Sequence, residues 1–172
     1  MTGNTGNLIS CFPPVGDHNA TVLILGSMPG KESLKQTCYF AHAQNSFWKI
    51  MGELVGAHPG LPYDERLHIL TDAHIALWDV LASCERESSL DTHIRNEKAN
   101  DFTAFFAQHP HITHIFFNGA KAEQSFNKLV LGIQELPQLT FHHLPSTSPA
   151  HAGMTYADIL KAWEAIMNNL VA

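Results

Sequence analysis

Two stretches of the chain concentrate side chains that chemistry needs and that a core does not. The first runs from Gly26 to Trp48, GSMPGKESLKQTCYFAHAQNSFW, where Ser27, Lys31, Tyr39, Phe40, His42, Gln44 and Asn45 sit in a region with no clean helical or strand period. Gly26, Pro29 and Gly30 break the backbone at its start. A connector this long inside a compact domain is usually functional or disordered, and its aromatic content argues against disorder. The second is Leu144-Pro-Ser-Thr-Ser-Pro-Ala-His151, in which prolines flank three hydroxyls. A stiff turn of that kind presents Ser146, Thr147, Ser148 and backbone N–H groups in a small arc suited to a phosphate, or else uses the hydroxyls to cap its own backbone.

Other constellations carry less. GxxxxGK[ST] and GxGxxG are both absent, which removes a nucleotide-hydrolase loop. Neither Ser27 nor Ser148 lies in a GxSxG elbow. His109, His111 and His114 lack a carboxylate or cysteine at metal-ligand spacing and read as surface and edge histidines. Of His142 and His143, which alternate along a strand, at most one faces a site. Trp48, Trp78 and Trp163 fall on core stripes, and Glu85, Arg86 and Glu87 read as a solvated charge run. Phe40 either stacks on a planar ligand or plugs the local core. Asn45 or Ser46 is an N-cap for the helix that follows.

The elements that must position these residues follow from hydrophobic periodicity. Apolar runs at 21–25, 74–78, 112–117 and 139–144 predict buried strands. Helices are predicted over 46–55, 63–73, 101–109 and 121–130. A last helix opens at the capping-box-like Thr155-Tyr-Ala-Asp158 and packs Ile159, Leu160, Trp163, Ile166, Met167 and Leu170. Residues 83–100 hold much of the charge and read as a solvated excursion. Residues 1–20 read as an arm or cover. Alternating strands and helices imply right-handed crossovers and a mainly parallel sheet covered on both faces. Ligands of such sheets bind outside the carboxyl ends of the strands, where both chemical stretches fall.

At 172 residues and 45% hydrophobic content, one domain spanning 1–172 is expected. Cys11, Cys38 and Cys84 are odd in number and widely spaced, so neither a disulfide framework nor a zinc or iron–sulfur site is expected. A formal charge of −6 disfavours a broad basic surface but leaves room for a local positive cleft. With no secretory leader and no long apolar run, an intracellular, cytoplasmic protein is expected.

The pair GSMPG…YFAHAQNSFW and LPSTSPAH, with IALWDVLASCERESSLDTHI between them, resembles the uracil-DNA glycosylase superfamily, and most closely its hypoxanthine (deoxyinosine)-DNA glycosylase branch. The portion from Phe40 to Trp48 is also similar to mismatch-specific uracil-DNA glycosylases. The resemblance implies a three-layer α/β/α sandwich around a four-stranded, mainly parallel sheet. It also implies a monofunctional hydrolase that flips a deaminated nucleotide from the duplex and cuts its N-glycosidic bond with water. No cofactor or metal is implied; the partner is DNA containing deaminated bases, met by a monomer in the cytoplasm or at the nucleoid.

By the same resemblance, the catalytic residue is Asn45, a neutral amide that positions water. Mismatch-specific relatives carry Asn where this chain has Met28, and uracil-specific ones use a nearby Asp that is also missing. Phe40 matches the aromatic that stacks on the flipped base, and Ser27, Met28, His42 and Asp79 complete the base pocket. Asp79 either contacts the base edge or caps the turn after its strand. Ser146, Thr147, Ser148 and His151 match the phosphate-gripping motif, except that Leu144 replaces the His that begins it in uracil-specific enzymes, which removes a donor for strict uracil specificity. Two other classes stay open: a catalytically idle domain of this fold that binds damaged DNA or a nucleotide, and a small-molecule hydrolase using His151 with a serine.

Overall fold

The computed structural model describes residues 8–86, 94–149 and 153–170. Its centre is Val22–Gly26 (β2), whose side chains alternate between two fully covered faces. Val22 and Ile24 pack with Ile75, Leu77 and Phe116 on one face, whereas Leu23 and Leu25 pack with Ala76, Trp78, Ile115 and Phe117 on the other. Such apolar runs, buried on both faces, belong to a parallel sheet. Ile75–Asp79 (β3), His114–Asn118 (β6) and Thr140–Leu144 (β7) complete it in the order β3-β2-β6-β7, every neighbouring pair parallel.

Helices cover both faces. Phe47–Val55 (α2), Tyr63–Asp72 (α3) and Tyr156–Trp163 (α6) supply Phe47, Trp48, Ile50, Met51, Leu70, Ile159 and Trp163 to the first core. Phe102–Gln108 (α4) and Ala120–Leu129 (α5) supply Phe102, Phe105, Phe106, Ala122 and Phe126 to the second. The result is the expected three-layer α/β/α sandwich, with all four expected strands and five expected helices within a residue or two of their predicted limits. Capping sets several of these ends: the Asp101 carboxylate accepts from Ala104 N–H and the Thr155 hydroxyl from Asp158 N–H. The last helix tightens into a 3-10 segment at Glu164–Asn169, which turns Met167 outward to 42% exposure and away from the core stripe predicted for it.

Of the stretch 83–100, residues 87–93 lie outside the described residues, and its two described ends depart from the expected excursion by forming strands. Leu8–Ser10 (β1), Leu81–Glu85 (β4) and Arg95–Ala99 (β5) form a second, antiparallel sheet in the order β1-β4-β5. Arg95-Asn-Glu-Lys-Ala99 has no apolar alternation, so pairing with β4 holds it as a strand rather than burial of a hydrophobic face. Arg86, expected in a solvated run, is 6% exposed and donates to the Pro29 carbonyl. The N-terminal arm is built in as well: Val15 exchanges both backbone hydrogen bonds with Leu77 at the β3 edge. Among the described residues no helix is long and apolar enough to cross a membrane.

Candidate active site

The C-terminal ends of β2, β3, β6 and β7 open into a cavity of about 310 Å³, within the usual range of small-ligand sites. Ser27, Met28, Phe40, His42, Asn45, Asp79, Ser146, Thr147 and Ser148 all line it. Residues about 120 positions apart in sequence are thus gathered at one sheet edge. His151 lies outside the described residues.

The floor begins at Gly26. A Cβ there would stand 2.7 Å from Asp79 Oδ1 and 3.7 Å from the Phe40 ring, so the absent side chain is what lets the carboxylate and the ring approach. Val80 N–H and Leu81 N–H donate to the carbonyls of Gly26 and Ser27, carrying the sheet pairing into the loop. Asp79 is 3% exposed and lines the cavity at this floor. Met28 is 8% exposed and packs into the second core, and a thioether there has no means of activating water. After Gly30 the chain forms a short helix, Lys31–Gln36 (α1), inside what reads in sequence as an unbroken loop.

Phe40 is half-buried, with one face stacked on Phe47 at 4.2 Å between centroids and 27° between planes. The loop aromatic packs against the first core, as one of its two expected roles requires, and also lines the cavity. Its φ of 54° is left-handed, which costs a non-glycine residue about 1–2 kcal/mol. Tyr39 holds it there. Tyr39 N–H donates to the Tyr63 hydroxyl, its own hydroxyl donates to the Pro13 carbonyl, and its carbonyl accepts from Trp48 Nε1. Burial first, and the Asp79 carboxylate second, push the Tyr39 phenol well above its ordinary range, so it stays a neutral donor.

Ser46 holds the N-cap position of α2 without a side-chain cap, and the side-chain bond at this helix end comes from Asn45, whose Oδ1 accepts from Phe47 N–H at 2.9 Å. This bond fixes which amide atom is oxygen, because a backbone N–H cannot donate to Nδ2. Among the described residues no other group bonds to this amide, which leaves one Oδ1 lone pair and both Nδ2 hydrogens toward the cavity. His42 is exposed; its Nδ1 accepts from Gln44 N–H and its carbonyl from Asn45 N–H, so it shapes the turn that delivers Asn45.

The opposite wall is the 145–149 turn. Thr147 is 2% exposed, and it exchanges two hydrogen bonds with Asn118: Thr147 N–H donates to Oδ1 and Asn118 Nδ2 donates to Oγ1, each at 3.0 Å. The Thr147 hydroxyl thus secures the turn to β6, which leaves Ser146 and Ser148 as its more open hydroxyls. Ser146 Oγ accepts from Ser148 N–H, and Trp163 Nε1 donates to the Pro145 carbonyl. Gly119, at φ 92°, lets the turn come within 3.0 Å of where its own Cβ would be. Ser46 N–H donates to the Thr147 carbonyl, so one hydrogen bond joins the two loops directly.

Asn118 and Arg86 are the site-building residues that sequence reasoning misses. A polar residue at the carboxyl end of a buried strand is the signal that marks Asn118. Arg86 has none, because it reads as one more charge among neighbours of both signs. Asn118→Ala strands two groups of Thr147 and should lower stability by about 1–3 kcal/mol. A thermal melt checks this, and Asn118→Asp, which keeps the acceptor for Thr147 N–H, should fall between.

The model of the uracil DNA glycosylase superfamily matches residues 13–168 of the chain. A hypoxanthine DNA glycosylase of Methanosarcina acetivorans is 33% identical over 159 residues, which are 92% of this chain and 97% of the relative. One from Methanosarcina barkeri is 38% identical over 112 residues, 64% of this chain and 71% of the relative. Among solved structures, a Methanosarcina acetivorans protein studied by solution NMR superposes with a TM-score of 0.77 at 33% identity, covering 92% of this chain and 96% of that one. The chain belongs to the uracil DNA glycosylase superfamily. It is a DNA glycosylase, a hydrolase that acts on N-glycosyl bonds.

Proposed function

We propose that this glycosylase releases hypoxanthine from deoxyinosine in DNA, with weaker action on uracil, and that it does so on a flipped nucleotide with water positioned by Asn45. The observation that carries the reading is the assembly of Asn45, Phe40 and Asp79 in one cavity with the Ser146–Ser148 turn as its rim. Both Methanosarcina relatives bear the hypoxanthine name, which favours that base over uracil.

The chemistry suits a neutral amide. As the C1′–N9 bond breaks, its electron pair leaves with the base and positive charge develops on the sugar, so the attacking water needs orientation more than prior deprotonation. A water that donates to the remaining Oδ1 lone pair of Asn45 is held for attack at C1′ and loses its proton to solvent as the new C–O bond forms. Phe40, its other face already committed to Phe47, offers a rigid platform for a purine. Asp79 accepts a hydrogen bond from the N1–H edge that hypoxanthine presents. The hydroxyl-bearing turn at Ser146–Ser148 takes the phosphate beside the flipped nucleotide, with the Ser146 hydroxyl, which accepts from Ser148 N–H, still able to donate its own proton to a phosphate oxygen. The enzyme works as a monomer, since one chain supplies every one of these groups.

Duplexes carrying a single deoxyinosine, uracil or xanthine, incubated with the protein and then cleaved in alkali at the abasic site, test this reading. Deoxyinosine should be cut fastest and uracil more slowly. Absence of scission on all of them rejects the activity and favours an idle binding domain, for which the capping bond of Asn45 would be its whole purpose.

A further inference from the structure

A second cleft, of about 570 Å³, adjoins the base cavity. The two share Tyr39, Phe40, His42 and Asn45 as a common wall, but the cleft does not reach the Ser146–Ser148 turn. It runs instead between α2, α3 and the start of α6, where Lys49 and Arg66 line it. The Arg66 guanidinium lies 4.8 Å over the Trp48 ring and 5.4 Å from that of Tyr63, and its Nε donates to the Leu61 carbonyl. Lys49 Nζ lies 4.1 Å over the Tyr156 ring.

These rings attract the cations without neutralising them. Among the described residues neither Lys49 nor Arg66 is within ion-pair distance of a carboxylate. Glu53, which lies beside Tyr156, trims the local charge without pairing with either. Arg66 is also preorganised: with Nε engaged and the plane stacked, its remaining N–H donors are held as a fork of the kind that receives a phosphate. In a chain of formal charge −6, a polyanion gains nothing from the general field, so two unpaired cations lining one cleft mark where it would gain locally.

We propose that this cleft takes the sugar–phosphate strand that continues from the flipped nucleotide, with Lys49 and Arg66 as its phosphate contacts. The proposal rests on the reading of the cavity as the pocket of a flipped base. A nucleotide seated there has a phosphate on each side. The hydroxyl-lined turn receives one, and the strand leaving by the other passes the Phe40–Asn45 wall into the cleft.

The test is equilibrium binding, by fluorescence anisotropy, to a labelled duplex with a non-cleavable abasic analogue, across a salt series. Lys49→Gln and Arg66→Gln should each weaken binding, and each should flatten the plot of log K against log salt by about 0.9, the value for one phosphate contact. Lys128→Gln, at the far end of α5, should leave the slope as in wild type. Thermal melts verify folding; if Arg66→Gln is unfolded, Lys49→Gln alone carries the test. Wild-type slopes in the folded variants overturn the strand site, as does failure of the wild type to bind the duplex. Salt-dependent binding that flattens in the variants supports the site even where no base is released, in which case only the proposed activity falls.

Discussion

Asn45→Ala should lower the rate of hypoxanthine release at saturating DNA by about 10²–10³-fold, the loss expected when one preorganised polar group leaves a transition state. Because Asn45 Oδ1 also accepts from Phe47 N–H at the start of α2, the same substitution should cost about 0.5–2 kcal/mol of stability. The two effects separate in Asn45→Ser, whose hydroxyl can take the Phe47 N–H but cannot hold a water as an amide does. That variant should melt close to wild type and still lose the rate. Single-turnover kinetics beside a thermal melt give both numbers. A wild-type rate in folded Asn45→Ala rejects the positioning of water by this residue and confines it to the helix end.

Trp163→Ala should destabilise the protein by about 3–5 kcal/mol, the usual cost of emptying a fully buried indole site. Trp163 has no exposed surface, meets Phe47 edge to face at 5.9 Å between centroids, and donates to the Pro145 carbonyl. The melting midpoint should fall by on the order of 10 °C for a chain of this size. Phe47 in turn stacks on Phe40, so one column of rings runs from the last helix through the core to the cavity wall. Trp163→Phe refills most of the volume but removes the donor to Pro145, and should recover more than half of the lost stability. Equal melts of wild type and Trp163→Ala would show that the column supports nothing.

What is legible in sequence follows from what burial writes there. Val22–Gly26 and Ile75–Asp79 read as strands because both their faces are apolar, and α2 because Phe47, Ile50, Met51 and Leu54 fall on one stripe. Both chemical stretches fall at the carboxyl ends of such strands, which is why their meeting in one cavity could be expected. The second sheet is illegible for the converse reason. Arg95–Ala99 is a strand by virtue of its neighbour, and backbone pairing leaves no mark on residue type. Lys31–Gln36 hides likewise, since only Leu34 in it is apolar. The division of labour within Ser-Thr-Ser is equally invisible: three adjacent hydroxyls look alike until Asn118, 29 residues upstream of Thr147, claims the middle one.

The hydrogen bond from Ser46 N–H to the Thr147 carbonyl ties together loops that enter from opposite halves of the chain. Closing such a long-range contact requires β2, β6 and β7 to be in register first, because β2 and β7 reach one another only through β6. If the two loops form the active site as proposed, catalytic competence is a property of the finished molecule alone. A partly folded chain, or one nicked between the loops and pulled apart, has no half-strength site with which to attack a glycosidic bond, so activity on heating should vanish in step with tertiary structure and not ahead of it.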